Sequence, residues 1–218
     1  MKVLVTGASG MVGQGVLREC LAAPDVASVL SLGRRPATAP QPKLRELIVA
    51  DLAAPGEAAR EFAGLDAAFL CAGVSSAGLG EAEYRRLTFD LTLGLARALV
   101  ERSPGLTLIY VSGAGTDSSE SGRTMWARVK GATENALLAL PCRAYMFRPG
   151  LIRPLDGIVS RTRAYRLFYQ LAGPLLPLLQ RSLPGAITST RQVGHAMLAV
   201  ARHGSAKRIL ESADINAL

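Results

Sequence analysis

The chain opens on a strand, a glycine turn and a helix, and that order limits everything after it. Val3-Leu4-Val5 is a short β-branched run, Thr6-Gly7-Ala8-Ser9-Gly10-Met11-Val12-Gly13 follows at once, and a helical pattern then runs through Cys20-Leu21. In Gly7-x-x-Gly10-x-x-Gly13 the glycines permit a tight turn, let the backbone approach a pyrophosphate and seat the helix close against the strand. The helix N-terminus adds unpaired N–H groups and the positive end of a dipole. A glycine triplet by itself often serves structure alone. With a strand before it and a helix after it, the loop points to nucleotide binding, with Gly7, Ser9, Gly10, Met11, Val12 and Gly13 as the contacts.

The alternation continues. Pro24-Asp25 ends the first helix, and strands are predicted at Val26–Leu32, Leu44–Val49, Ala67–Cys71, Leu106–Val111 and Arg143–Phe147. Helical spacing falls at Glu57–Phe62, at Glu81–Glu101 (Tyr84, Leu87, Leu91, Leu95, Leu99) and at Thr124–Leu140. Strands that are apolar on both faces and separated by helices imply a parallel sheet covered on both sides, the doubly wound α/β class. Beyond Pro149-Gly150 the pattern changes to an amphipathic segment from Arg161 to about Gln180 and a helix running from a Thr190 cap to a Gly204 stop. Residues 1–218 are therefore expected to form one domain, with 151–218 as a small appended C-terminal helical lobe that walls a cleft at the strand ends.

Composition excludes several classes. Hydrophobic residues make up 49% and charged residues 19% of the 218, which argues against disorder. The greasiest run, Leu171 to Leu179, is broken by Gly173, Pro174 and Pro177, so no membrane span is expected. Met1-Lys2 leads directly into the first strand, leaving no room for a signal peptide, and a cytoplasmic location is expected. Cys20, Cys71 and Cys142 are scattered and unpaired by motif, and His195 and His203 have no clustered partners, so neither a metal site nor a disulfide framework is expected. The formal charge of +8 lies wholly in the last third: residues 1–140 carry 14 basic and 14 acidic side chains, residues 141–218 carry 11 and 3. That lobe suits an acidic ligand, partner or surface. Only four of the 25 basic residues are lysine, a bias that fits either base composition or the capture of phosphate and carboxylate by arginine. No nucleic-acid motif or interleaved aromatic pattern accompanies the charge, so nucleic acid is not an expected partner.

The end of the second strand decides which dinucleotide. A cofactor with a free ribose 2′-OH usually meets an Asp or Glu there, about 20 residues past the loop. Gly33 stands at that place, followed by Arg34-Arg35, which cannot accept from a hydroxyl but can pair with a 2′-phosphate. The pattern predicts NADP(H) in preference to NAD(H), unless the two arginines are only solvated turn residues. Asp51, ending the third strand beside Leu52, suits either the adenine amino group or a helix cap.

Taken together, Thr6-Gly7-x-x-Gly10-x-x-Gly13, Gly33-Arg34-Arg35, Asp51-Leu52, Cys71-Ala72-Gly73, Tyr110-Val111-Ser112, Lys130 and Arg148-Pro149-Gly150 resemble the extended or atypical short-chain dehydrogenase/reductases. These are NAD-dependent epimerase/dehydratase-like proteins, and within them the chain looks most like the small Tat-interacting-protein and NmrA-like branch. The likeness runs from residue 1 to about 150, and the Val193–Ala201 helix resembles their C-terminal one. The resemblance implies a Rossmann sheet in the order 3-2-1-4-5-6, Cys71-Ala72-Gly73 beneath an NADP(H) cofactor, and Ser112, a tyrosine and Lys130 as the reducing machinery. Members of that branch bind NADP(H) and are often not proven enzymes.

One position departs from the pattern. In Tyr-x-x-x-Lys the phenol protonates the substrate oxygen while the lysine lowers its pKa and bonds the nicotinamide ribose, and the four-residue spacing sets both on one helix face. This chain reads Trp126-Ala127-Arg128-Val129-Lys130. An indole N–H donates a hydrogen bond but exchanges no proton near neutral pH, so the general acid is missing. Tyr84, Tyr110 and Tyr145 fall on other predicted elements. Ser112 suits catalysis or the satisfaction of a strand end equally, and the ribose contact of Lys130 needs no tyrosine. The stripe Tyr165, Phe168, Leu171, Ala172, Leu175 and Leu179, flanked by Arg161, Arg163, Arg166 and Arg181, reads as a lid or packing face, with anionic lipid or a partner helix as its alternative. His195 reads as a surface histidine. Two functions remain open: an NADP(H)-dependent oxidoreductase acting on an unknown carbonyl with altered chemistry, or a non-catalytic NADP(H)-sensing regulator or scaffold.

Overall fold

The computed structural model describes residues 1–159 and 185–218. Its strands are β1 (Lys2–Thr6), β2 (Ser28–Gly33), β3 (Leu44–Ile48), β4 (Ala67–Leu70), β5 (Thr107–Val111), β6 (Arg143–Arg148), β7 (Leu151–Arg153), β8 (Ile187–Ser189) and β9 (Ile209–Glu211). The α-helices among the described residues are α1 (Met11–Ala22), α2 (Glu81–Arg85), α3 (Leu91–Arg102), α4 (Met125–Leu138), α5 (Thr190–His203) and α6 (Ser212–Asn216). Seven strands form one sheet in the order β3-β2-β1-β4-β5-β6-β9, every pair parallel. The expected order is present, extended by one strand.

Alternation along each strand builds two cores. In β1, Val3 and Val5 face one side, where Val16, Leu17 and Cys20 of α1 and Val193, Met197 and Val200 of α5 cover them. Leu4 faces the other side, with Leu95 and Leu99 of α3, Leu137 of α4 and Phe62. A sheet buried on both faces needs apolar residues at consecutive positions, which is why the strands read as continuous runs. β1 pairs with β2 on one flank and β4 on the other. Chain order reverses there, so the carboxyl end of β1 is the switch point at which open α/β sheets bind ligands.

Four local features differ from the sequence expectation. β9 is a seventh strand of three residues, pairing Met146 with Ile209 and Arg148 with Glu211, too short to leave a period-two signal. The predicted Glu81–Glu101 helix is interrupted by a π-helical turn at Arg86–Asp90 between α2 and α3, and the Glu57–Phe62 segment is a 3-10 helix over Gly56–Phe62. The cap of α5 is Ser189, whose Oγ accepts from Gln192 N at 3.1 Å; Thr190 lies inside the first turn and is buried. There α5 meets α1 so closely that a Cβ on Gly15 would lie 2.6 Å from Thr190 O.

Among the described residues, most basic side chains of the last third are engaged within the fold. Arg148 pairs with Glu134, Arg191 with Asp156, Arg202 with Asp25 and Lys207 with Asp214, while Arg208 donates to the Ala144 and Leu138 carbonyls. The Arg161–Gln180 segment and Arg181 lie outside the described residues.

Candidate functional site

The turn after β1 is shaped by what its glycines exclude. Gly7 has φ +66°, and a Cβ there would lie 2.6 Å from Cys71 O and Ala72 N; a Cβ on Gly13 would lie 2.1 Å from Gly7 O. These two positions let the turn sit on the end of β4 and let α1 sit on the turn. Gly10 is different: its N–H donates to Gly7 O at 2.8 Å, and it is the N-cap of a helix with no side-chain cap and no acidic residue in its first turn. The positive end of α1, flanked by Ser9, Met11 and Val12, is left uncovered by these groups, as a phosphate cradle requires. Gln14 Nε2 donates to Ser9 O at 3.1 Å and braces the turn, a contact the glycine pattern did not signal.

The end of β4 is fastened alongside. Ala72 N donates to Thr6 Oγ1 at 3.2 Å, while Gly73 has open space where a side chain would stand. Burial pushes the Cys71 thiol up, so it stays neutral at physiological pH and contributes shape rather than charge.

At the far edge, the pairing of Thr6 with Leu32 and of Gly33 with Ile48 brings the ends of β1, β2 and β3 side by side. Arg34 and Arg35 follow, both exposed, and neither forms an ion pair among the described residues. Their loop is held by a residue the sequence reading passed over: Glu46 of β3 accepts from Ala37 N at 2.6 Å. Asp51 Oδ1 accepts from Ala53 N at 2.9 Å, a turn-capping bond, and Leu52 is buried in the core beside it.

The other half of the site lies between β5 and α4. Trp126, Lys130 and Glu134 recur every four residues and so share one face of α4. Lys130 Nζ donates to the Ser112 carbonyl and stands 5.9 Å from the Trp126 ring centroid. The indole lies against the loop, where a Cβ on Gly115 would be 3.5 Å from Trp126 Cη2. Ser112 Oγ donates to Glu134 Oε1 at 2.5 Å and lies 3.2 Å from Phe147 O. Glu134 is fully buried and also receives Arg148, through Nε at 3.1 Å from both oxygens and through Nη2. Arg148 reaches on to Ser118 Oγ at 2.5 Å and Glu211 at 3.6 Å. Burial lowers the Lys130 pKa, opposed by attraction to Glu134. Glu134 was absent from the sequence reading, although its place one turn beyond Lys130 was a usable signal.

The tyrosines seen here are committed elsewhere. Tyr84 and Tyr110 are buried, which pushes both phenols up, and Tyr145 OH accepts from Ser205 N at 3.4 Å. Tyr165 and Tyr169 lie outside the described residues. His195 pairs with Glu19 of α1 at 2.7 Å. Among the described residues no cluster of His, Cys, Asp and Glu could hold a metal ion, and no helix is long and apolar enough to cross a membrane.

Comparison with known proteins follows the same lines. The profile of the NAD dependent epimerase/dehydratase family matches residues 3–123. Protein fmp52, mitochondrial, of Emericella nidulans is 30% identical over 157 residues, which cover 69% of this chain and 66% of that protein, so the chain spans just under two thirds of its relative's length. Gre2 of Candida albicans, solved in complex with NADPH, matches with a TM-score of 0.74 at 14% identity, over 97% of this chain and 78% of that one. The UDP-glucuronic acid 4-epimerase of Bacillus cereus, solved with NAD, matches with a TM-score of 0.66 at 14% identity, over 96% and 76%. At these identities the structural likeness is one of fold.

Proposed function

The chain belongs to the NAD-dependent epimerase/dehydratase family, and from that premise we propose that it binds a nicotinamide dinucleotide at the switch point, NADP(H) in preference to NAD(H), as an atypical short-chain dehydrogenase/reductase-like protein. The observation that carries this is the N-terminus of α1 at Gly10, which has no side-chain cap, beside two arginines at the end of β2 that form no ion pair among the described residues. A helix N-terminus favours phosphate, and a guanidinium without a carboxylate partner favours a 2′-phosphate over a free hydroxyl. The pyrophosphate lies over Gly7, Gly10 and Gly13; Arg34, with Arg35 beside it, meets the 2′-phosphate; Asp51 and Leu52 border the adenine; Cys71, Ala72 and Gly73 lie beneath the cofactor; Lys130 holds the nicotinamide ribose.

When bound, the dinucleotide supplies or accepts a hydride. The residues of this chain bind and orient it, but their capacity to move a proton is reduced. The Trp126 indole N–H does not ionise near neutral pH and so cannot serve as a general acid, and the Ser112 hydroxyl donates to Glu134. We therefore favour a cofactor-binding protein whose carbonyl chemistry is altered or lost. The rival reading, a conventional oxidoreductase on an unknown carbonyl compound, is favoured only by the retained Lys130. Trp126 is the sole tryptophan, so its fluorescence reports cofactor arrival directly. Titration with NADPH and NADH is expected to give quenching by both and tighter binding of NADPH; no quenching and no calorimetric heat with either would refute the proposal.

A further inference from the structure

Glu134 is the only acidic or basic residue among the described residues whose side chain is wholly enclosed. A carboxylate removed from water needs donors on both oxygens. It has them, Ser112 and Arg148 on Oε1 and Arg148 on Oε2, and Ser112 leads back to the lysine on the same face of α4. Ser112 joins the two charges: its hydroxyl donates to Glu134, while its carbonyl accepts from the Lys130 ammonium one turn away on the same helix face. The other ionisable groups about this point are Arg148 on β6, ion-paired with Glu134; Glu211 on β9, 3.6 Å from Arg148; Tyr110 on β5, buried and neutral; and, on α4, Arg128, which is turned toward Glu81 of α2 at 2.7 Å. Glu134 is thus the anion placed to offset the burial of Lys130.

We propose that Glu134 is a positioning residue of the cofactor site, fixing the Lys130 side chain through Ser112 and keeping it an ammonium able to donate to a ribose hydroxyl. Its consequence for binding rests on the assignment of Lys130 to the nicotinamide ribose. The geometry itself does not depend on that assignment, and the two are tested separately.

The chain has four lysines, Lys2, Lys43, Lys130 and Lys207, so selective 13C-lysine labelling yields few ε-methylene signals, and Lys130→Arg identifies the one that matters. In Glu134→Gln its titration midpoint is expected to fall by about one pH unit or more, one unit being a tenfold change in the protonation equilibrium; Glu134→Asp is expected to restore most of it. Should Glu134→Gln fail to fold, Glu134→Gln/Arg148→Gln compared with Arg148→Gln carries the same measurement without leaving a lone buried cation. An unchanged midpoint on loss of the carboxylate overturns the proposal, as does an Asp variant that titrates like the Gln one. In the binding arm, NADPH and NADH affinities of Glu134→Gln fall together as pH rises through the lowered midpoint. If Lys130→Met leaves both affinities unchanged, the ribose assignment fails, while the lysine midpoint still decides the role of Glu134.

Discussion

Ser112 and Glu134, 22 residues apart in sequence, share a hydrogen bond of 2.5 Å in which the serine hydroxyl donates to a fully buried carboxylate. The same carboxylate holds Arg148 through two nitrogens. Removing one member of such a buried pair leaves the other without compensation, typically a loss of about 3–5 kcal/mol. Glu134→Ala is expected to cost stability on that scale in urea denaturation, and the Glu134→Gln/Arg148→Met double variant less than the sum of its two single changes, because the neutral pair strands no charge. Additive losses would show that the two side chains do not work as a unit.

The doubly wound fold was legible because its signals are local and repeated: an apolar run, a turn, a helical period, then the same again. β9 left no such trace, since its three residues are defined by pairing with β6 rather than by their own pattern. The geometry of the candidate site was legible where it follows chain order, in the turn at Gly7, Gly10 and Gly13 and in the shared helix face of Trp126 and Lys130. It was illegible where partners converge from distant strands. Glu134 meets Arg148 of β6, and Glu46 of β3 clasps Ala37 across a loop; the spacing of Glu134 from Lys130 marks its helix face but not its partner, and Glu46 belongs to no short motif, so only the packed sheet brings out what each holds.

Arg34 is expected to set cofactor preference. It is exposed and unpaired among the described residues beyond Gly33, and a charge-assisted hydrogen bond to phosphate contributes about 1.5–3 kcal/mol. Arg34→Ala should therefore narrow the NADPH/NADH affinity ratio by about ten- to a hundredfold, with NADH binding almost untouched. Equal affinities for both cofactors in the unmutated protein would remove the basis for the preference.

The Asp25–Arg202 pair ties α5 to the turn before β2, with Arg202 Nη2 2.6 Å from Asp25 Oδ1. The hydrogen bond from Arg202 is the main cause holding the Asp25 carboxyl below its ordinary value of 3.8. A carboxylate depressed in the folded state adds stability that is fully present above its unfolded pKa and is lost as pH falls through the folded one. The stability difference between the unmutated chain and Asp25→Asn is thus expected to be present at neutral pH and to vanish at strongly acidic pH. Chemical denaturation at a series of pH values measures it, and a difference that grew on acidification would contradict the pairing.

Trp126 bears on what the bound cofactor is able to do. Lys130 keeps its contact with the Ser112 carbonyl without help from position 126, so cofactor affinity should survive Trp126→Ala nearly unchanged, measured by calorimetry because that variant carries no tryptophan. Lys130→Ala should weaken it. Positioned general acid catalysis typically contributes about 10²–10⁴-fold, and with an indole where a phenol is required, reduction of simple ketones and aldehydes should fall short of an ordinary reductase by about that factor. Trp126→Tyr returns an ionisable phenol to the face of α4 that carries Lys130. It is expected to raise turnover, provided the smaller ring keeps its place against Gly115, where the indole now rests. The assay is NADPH oxidation at neutral pH over a panel of carbonyl compounds. Fast turnover by the unmutated chain, insensitive to Ser112→Ala and to Lys130→Ala, would mean that the reacting groups lie elsewhere than between β5 and α4.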